Sequence, residues 1–299
     1  MQLHLDALSS PILFRGDSQT AYRDPAAVFH NGYCHLFFTL VETEQDGSVY
    51  LYLAKSRSRD FLHWDPIKKL TPRDQKLNYS SPGCIIQFQN KWVICLQTYC
   101  RENGEKYGNE RSRLFIMETE DLENFSSPRL LRVKGDIADA DMGRMIDPYL
   151  LQDAKDPAKW WCFYKQNGVS MSYSYDLEHW TYVGHANSGE NVCVIYNDGQ
   201  YYMFHSPENG IGILRSKDCL QWEDTGILLT LGQKHWPWAQ GRLTAGFVIE
   251  NPVASDNRSK WLLFFHGSGP EDERTMFDQY ASIGIAWSDD LLHWHWPQE

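Results

Sequence analysis

Ser174-Tyr175-Asp176-Leu177-Glu178-His179-Trp180 is one of five copies of a short signature, Ser/Thr-x-Asp-x-x-x-Trp/Phe, in a chain of 299 residues. The spacing between successive copies is irregular, which indicates similar units separated by loop insertions of different length. Self-similarity of this kind is typical of repeat architectures, in which each copy belongs to one supersecondary unit. The other four copies are Ser58–Trp64, Thr119–Phe125, Ser216–Trp222 and Ser288–Trp294.

Each copy of the signature follows a short apolar strand, a turn and an aromatic-rich strand. In the first unit these are Ala26–Phe29, the turn Asn31-Gly32 and Tyr33–Leu40. Asn-Gly between two apolar runs is a strong hairpin signal, because type I′ turns need positive φ at both central residues. In the fifth unit the turn is replaced by a longer loop through Asp256-Asn257. Third strands that lead into the signatures are predicted over Val49–Ser56, Arg113–Thr119, Val169–Ser174, Gly210–Ser216 and Ser282–Ser288.

The repeat predicts the fold class. With the signature aromatic starting a fourth strand, five units of four antiparallel strands indicate an all-β, five-bladed β-propeller, whose radial closure protects the sheet edges. We predict one domain over residues 1–299, because no Gly-, Ser- or Pro-rich linker interrupts the pattern. We expect the N-terminal segment Ser10–Arg15 to close the ring, the signature Asp to cap its turn and the signature aromatic to pack between blades.

The composition excludes several classes of partner. The formal net charge is −11, which argues against nucleic acids and anionic membranes as partners. Apolar runs such as Trp261–Phe265 are far shorter than the ~20 residues of a membrane span. The seven cysteines have no CxxC pair and are predicted to be reduced, buried thiols, so a cytoplasmic location is expected, and an exported form with its leader removed stays open. Aromatic residues make up 14% of the chain, which suits both β packing and sugar stacking.

The entrances to the five first strands are where the repeats differ. In a propeller these strands line the central channel, so residues at their entrances converge on one place. Three of the five entrances carry a carboxylate, and like charges held close together raise the pKa of at least one of them. Glycoside hydrolysis needs one ionised and one protonated carboxyl group. The aligned positions are Asp24, Ser81, Asp147, Glu190 and Thr244.

Asp24-Pro25 in blade one, Ile146-Asp147-Pro148 in blade three and Gly189-Glu190 opening blade four resemble glycoside hydrolase family 43. That family belongs to a superfamily of five-bladed propellers that includes arabinanases, xylosidases, invertases and levansucrases. The resemblance implies hydrolysis with inversion, with Asp24 as general base, Asp147 tuning and orienting the acid, and Glu190 as general acid. Family members usually follow this Glu with a small residue and Pro, where this chain has Asn191-Val192. Glu208 is therefore an alternative acid.

Six further residues are predicted to contact substrate. Tyr79 and Ser81 lie at the blade-two entrance, where family 43 commonly has an aromatic residue before Ala-Pro. Trp236 and Trp238 could stack on a sugar face. Arg242 is predicted to keep Asp24 ionised or to bind a sugar hydroxyl, and His266 ends a strand of blade five. No cofactor is predicted, no His/Cys cluster has zinc spacing, and a channel cation such as calcium beside His266 stays open.

These observations predict an exo-acting, inverting glycoside hydrolase whose substrate is an arabinofuranoside or xyloside in a small oligosaccharide. Two alternatives remain. One is a retaining fructosidase or a glycoside phosphorylase on the same fold, and the other is a non-catalytic propeller that binds glycans, since a fold does not determine a function. The sugar, its linkage and the oligomeric state are not predicted.

Overall fold

The five repeats form five antiparallel sheets arranged as the blades of a β-propeller. The computed structural model describes Leu3 and residues 5–254, 259–269 and 278–297. The expected fold class is confirmed, with four antiparallel strands per blade, and in blade five two short terminal strands share the outermost position. The predicted loop through Asp256-Asn257 lies outside the described residues.

The first four blades each use four strands in chain order. Blade one contains Thr20–His30, Tyr33–Thr43, Val49–Ser58 and Lys68–Lys69. Blade two contains Tyr79–Phe88, Lys91–Thr98, Leu114–Thr119 and Arg129–Leu130. Blade three contains Ile146–Gln152, Trp160–Lys165, Val169–Ser174 and Thr181–Ala186. Blade four contains Glu190–Asn197, Gln200–Ser206, Ile211–Ser216 and Glu223–Leu229.

Blade five joins the two ends of the chain. Its inner strands are Arg242–Glu250, Trp261–Ser268 and Ser282–Ser288. The third of these pairs antiparallel with the N-terminal strand Ile12–Phe14 and with the C-terminal strand Trp294–His295. The expected closure by the N-terminal segment is therefore confirmed, because Ile12–Phe14 belongs to the sheet of blade five and continues along the chain into blade one.

The signature is a turn capped by its own side chains. In blade three Oδ1 of Asp176 accepts hydrogen bonds from the N–H groups of Glu178, at 2.9 Å, and His179, at 2.8 Å. The residue after the Asp, Leu177, has φ of 60°, in the left-handed region that a tight turn requires. The same capping recurs at Asp60, Asp121, Asp218 and Asp290, so the structural role predicted for these residues is confirmed.

Four of the five signature aromatics, Trp64, Phe125, Trp222 and Trp294, make ring contacts with the preceding blade, as expected. Phe125 of blade two meets Phe37 of blade one with ring centroids 5.9 Å apart, and the rings lie edge to face. Trp222 meets Phe163 in the same way at 6.0 Å, across the joint between blades three and four. Such contacts add about 0.5–1.5 kcal/mol each beyond the area they bury. Most of the aromatic surplus is therefore architectural.

Helical structure among the described residues is limited to short 3₁₀ turns. They are Leu5–Ala7, Asp139–Asp141, Gln233–His235 and Pro237–Ala239. No helix in the described ranges has the length and apolar character needed to cross a membrane. All seven cysteines are unpaired and buried, as the sequence predicted.

Candidate active site

Each first strand carries a β-bulge close to its start, and the five bulges surround the channel. The pairing register shifts at this point in every blade, for example between Arg23 and Ala26 in blade one. A bulge bends its strand and redirects one side chain. One residue in each bulge has φ of 49–52°, and these residues are Asp24, Ser81, Asp147, Asn191 and Ala245.

This equivalence corrects the alignment of the five entrances. Glu190 and Thr244 were aligned with Asp24, but each lies one position earlier, where blade one has Arg23. Glu190 pairs with Ser206 just before the bulge, as Arg23 pairs with Thr39. The misalignment has a physical cause, because the bulge residue precedes proline in blades one to three and no proline marks it in blades four and five.

A ring of hydrogen bonds ties four of the five bulges to the neighbouring blade. The donor is the bulge N–H, and the acceptor is a side chain on the second strand of the preceding blade. Asp24 donates to Nδ1 of His266 at 3.1 Å, Ser81 to Oγ1 of Thr39 at 2.7 Å, Asp147 to Oε1 of Gln97 at 2.5 Å and Ala245 to Oγ of Ser206 at 2.8 Å.

The fifth joint, between blades three and four, departs from this rule. The equivalent second-strand residue is Lys165. It pairs with Ile146, the residue before the bulge of blade three, just as His266 pairs with Thr244 in blade five. An ammonium group has three donors and no acceptor, so it cannot receive a hydrogen bond from the Asn191 N–H. Lys165 instead donates to Oε2 of Glu190 at 2.6 Å. The pseudo-symmetry of the ring is therefore broken at the predicted acid.

A cavity of about 400 Å³ opens above the bulges. It is lined by all three predicted catalytic carboxyl groups, Asp24, Asp147 and Glu190, and by the predicted binding residues Arg242 and His266. The five bulge residues, with Ser81 among them, also line a much smaller space of about 20 Å³. The structure thus brings together residues up to 242 positions apart in sequence.

Asp24 is buried and held from several sides. Its Oδ2 accepts a hydrogen bond from Oγ1 of Thr39 at 2.8 Å, and Nε of Arg23 lies 4.0 Å from the same oxygen. Burial, reinforced by the charges of Arg23 and Arg242, lowers the pKa of His266 well below its ordinary value. The ring is therefore neutral, which lets Nδ1 accept the Asp24 N–H. These contacts fix the orientation of the Asp24 side chain.

Asp147 is a buried carboxyl group with a raised pKa. Its Oδ1 accepts a hydrogen bond from Oγ of Ser81 at 2.9 Å, and Thr39 connects Ser81 to Asp24. Burial raises the pKa of Asp147 to about 7, and the negative charges of Glu190 and Asp24 add to the shift. Ser81, predicted to contact substrate, thus holds one carboxyl group through its hydroxyl and is linked by Thr39 to the other.

Glu190 accepts hydrogen bonds from two cations. Its Oε1 lies 3.1 Å from an Nη of Arg242, and its Oε2 is bound by Lys165. Arg242, expected to keep Asp24 ionised or to bind a sugar hydroxyl, thus donates to Glu190, and Arg23 lies beside Asp24. Glu208, the alternative acid, is exposed on the loop after Gln200–Ser206 and does not line the cavity.

Three residues predicted to contact sugar lie elsewhere. Trp236 and Trp238 are only 3% and 9% exposed, and they stack on each other and on Phe265 of blade five. Tyr79 is buried against Phe115 of its own blade. None of the three lines the cavity. This corrects the expectation of sugar stacking, because these rings fill gaps between strands and loops instead.

Several cavity residues were missed in the sequence. Lys165 and Gln97 come from second strands, whereas the comparison of repeats covered only the first. Six more come from long insertions between strands, which have no counterpart in the repeat. They are Tyr99, Arg101, Lys106, Tyr107, Arg144 and Asp278. Within the described ranges, no three His, Cys, Asp or Glu side chains are placed to hold a metal ion.

No family model matches the chain, and no curated protein matches it in sequence. Solved structures, however, do match its fold. The chain has the fold of the family-43 glycoside hydrolases. A family-43 enzyme from Xanthomonas citri, crystallised with xylose, aligns with a TM-score of 0.60 at 12% identity and covers 96% of this chain and 92% of its own.

The same architecture occurs in two other glycoside hydrolase families. A family-62 α-L-arabinofuranosidase from Coprinopsis cinerea has a TM-score of 0.62 at 14% identity, covering 93% of this chain and 96% of its own. A family-117 enzyme from Zobellia galactanivorans has a TM-score of 0.65 at 14% identity, covering 90% and 84%. At these identities the family-43 likeness establishes the five-bladed fold.

Proposed function

We propose that the protein is a glycoside hydrolase whose active site is the cavity above the bulges. One observation carries the proposal, which is that Asp24, Asp147 and Glu190 line a single cavity and that the pKa of Asp147 is raised to about 7. Carboxyl groups in unequal protonation states are what glycosidic bond cleavage requires. A purely structural channel would gain nothing from placing three carboxyl groups around one cavity.

The roles follow from the surroundings of each group. Asp24, fixed by Thr39 and His266, is proposed as the base that activates water. Glu190 is proposed as the acid that protonates the leaving oxygen, and Asp147 as the residue that governs its protonation. Glu190 accepts hydrogen bonds from Lys165 and Arg242, so the acid role requires a proton to reach Glu190 when substrate binds.

The raised pKa of Asp147 supports this proton transfer. At neutral pH Asp147 is partly protonated, and the charge of Glu190 contributes to its shift, so the two carboxyl groups interact. A proton can therefore be shared between them, and substrate that displaces Lys165 or Arg242 from Glu190 would move it there. The reaction proposed is a single displacement with inversion.

The substrate class is proposed by analogy of fold. One neighbour is an α-L-arabinofuranosidase, and another was crystallised with xylose. We therefore propose that the protein removes terminal arabinofuranosyl or xylosyl residues from short oligosaccharides. A cavity of about 400 Å³ has room for one or two sugar rings, which supports an exo mode of action.

The test is turnover of a panel of aryl glycosides by the wild type and three variants. Asp24→Asn and Glu190→Gln are expected to lower kcat/KM by about 100- to 10,000-fold. Glu208→Gln is the matched control and should retain wild-type activity. Proton NMR of the first-formed anomer checks inversion, and turnover that depends on phosphate would indicate a phosphorylase. Activity that survives Asp24→Asn and Glu190→Gln would overturn the proposal.

A further inference from the structure

The cavity is more basic than the rest of the protein. The chain has 28 basic and 39 acidic residues, yet the described residues that line the cavity include six of the basic and five of the acidic ones. One of those five, Asp147, is a carboxyl group whose pKa is raised by its surroundings. A neutral sugar does not require this concentration of positive charge.

Four of the six cations have a carboxylate partner within the cavity. Lys165 and Arg242 both bind Glu190, at 2.6 and 3.1 Å. Arg101 donates to both oxygens of Asp278, at 2.9 Å each. Arg23 lies 4.0 Å from Asp24. These four cations are therefore paired with three carboxyl groups of the protein, Glu190, Asp278 and Asp24.

The other two, Arg144 and Lys106, have no carboxylate partner among the residues that the structure describes. Nε of Arg144 donates to the carbonyl oxygen of Gly108 at 2.8 Å, which orients the guanidinium group. Its carbon Cζ lies 5.9 Å from the centroid of the Tyr99 ring, and Nζ of Lys106 lies 5.8 Å from the centroid of Tyr107. The terminal amino groups of Arg144 carry no hydrogen bond to any described residue.

We propose that Arg144 and Lys106 form a subsite for an anionic group, either the carboxylate of an acidic sugar or a phosphate. The planar fork of an arginine matches the two oxygens of a carboxylate or phosphate, and a nearby ammonium adds charge with little geometric demand. Glu110 also lines the cavity and repels an anion, so the subsite selects for ligands that reach the arginine fork.

This inference rests on the proposed function for its substrate class, since the ligand it names is an oligosaccharide that carries a uronic acid. The binding step itself requires no hydrolysis, so it can be tested separately. Glucuronic acid and xylose form a matched pair, because xylose is the same pyranose without the C5 carboxylate. Inorganic phosphate is the second anionic probe.

The experiment is calorimetric titration of the full chain with glucuronic acid, xylose and phosphate at low and high salt. Glucuronic acid is expected to bind about tenfold more tightly than xylose, a difference typical of one charge-assisted bidentate contact. Arg144→Gln should remove this preference, and Lys106→Gln should reduce it. Glu110→Gln should strengthen it. Arg215→Gln, which removes an exposed cation of blade four, is the control and should leave the preference unchanged.

The outcomes separate the two sources of the anion. Preference for glucuronic acid that Arg144→Gln removes identifies an acidic sugar, whereas phosphate binding without that preference identifies phosphate. The proposal is overturned if glucuronic acid and xylose bind equally and phosphate does not bind, or if none of the three probes binds. It is also overturned if Arg144→Gln and Arg215→Gln weaken anion binding to the same extent. Anion preference without glycosidase activity would retain the subsite and overturn the proposed function.

Discussion

Nζ of Lys165 lies 2.6 Å from Oε2 of Glu190, and this ion pair replaces the hydrogen bond that joins neighbouring blades at the other four joints of the ring. The same repeat position thus serves as a structural acceptor four times and as a charged donor once. The exception occurs beside a predicted catalytic residue, where a charged donor can hold a carboxylate in place.

Replacing Lys165 is expected to impair turnover more than folding. Lys165→Gln removes the charge that holds Glu190 and is expected to lower kcat about tenfold, because the carboxyl group loses its fixed position. Lys165→Arg should restore part of the activity. Lys91→Gln, which breaks the exposed 2.8 Å pair with Glu118, is the matched control. Unchanged kcat in Lys165→Gln would contradict a role in positioning, and the measurement is steady-state kinetics on the best aryl glycoside.

Asp147 is expected to make the stability of the protein depend on pH. The pKa of Asp147 rises from 3.8 to about 7 on folding, so between pH 4 and 7 the folded state retains a proton that the unfolded chain has lost. The contribution of this group to stability is therefore present below pH 4 and lost as the pH rises to 7.

Asp147→Asn should cancel that loss. The variant should gain stability relative to the wild type as the pH is raised from 4 to 8, by about 2–4 kcal/mol over the whole range. Urea denaturation at closely spaced pH values measures this difference. Parallel stability curves for the two proteins would show that Asp147 ionises normally in the folded state.

Arg101 and Asp278 form a largely buried ion pair, in which Nη1 of Arg101 donates to both carboxylate oxygens, and the pair joins an insertion of blade two to an insertion of blade five. Their side chains are only 12% and 8% exposed. Arg101→Ala should lower the free energy of unfolding by about 3–5 kcal/mol, because it leaves a carboxyl group buried without its partner.

The exposed pair of Arg129 and Glu178 provides the control for Arg101. Arg129 also contacts both carboxylate oxygens, through two nitrogens at 2.8 and 2.6 Å, and Arg129→Ala should cost less than about 1 kcal/mol. The double variant Arg101→Met/Asp278→Leu should recover much of the stability that Arg101→Ala loses. If urea denaturation shows that Arg101→Ala and Arg129→Ala lower the free energy of unfolding equally, burial does not make the pair of Arg101 and Asp278 more important for stability.

Replacing Trp236 should lower stability, whereas replacing Tyr107 should raise KM. Trp236→Ala removes a ring that stacks on both Trp238 and Phe265 and should cost about 3–5 kcal/mol of stability. Tyr107 lines the cavity and is 56% exposed, so Tyr107→Ala should raise KM with a change in stability below about 0.5 kcal/mol. If the Trp236→Phe variant folds but has a raised KM, Trp236 contacts substrate after all.

The sequence alone was enough to predict the five-bladed architecture and the three carboxyl groups that line the cavity. The signature recurs because its Asp satisfies the same backbone N–H groups in every blade, so a local requirement of the turn is repeated wherever a blade occurs. Asp24 and Asp147 could be found because Asp-Pro marks the bulge in the blades that contain them. Local chemistry of this kind can be read along the chain.

Only the tertiary structure decided which cations serve those carboxyl groups. Lys165 binds Glu190 across 25 positions, and Asp24 is tied to His266 across 242, so neither contact leaves a local pattern. The role of the aromatic rings was also decided by the tertiary structure. The sequence predicted that Trp236 stacks on a sugar, but the residue is buried in the core. Arg144 and Asp278 reach the cavity from insertions, whose paths are set by closure of the ring and by packing between blades.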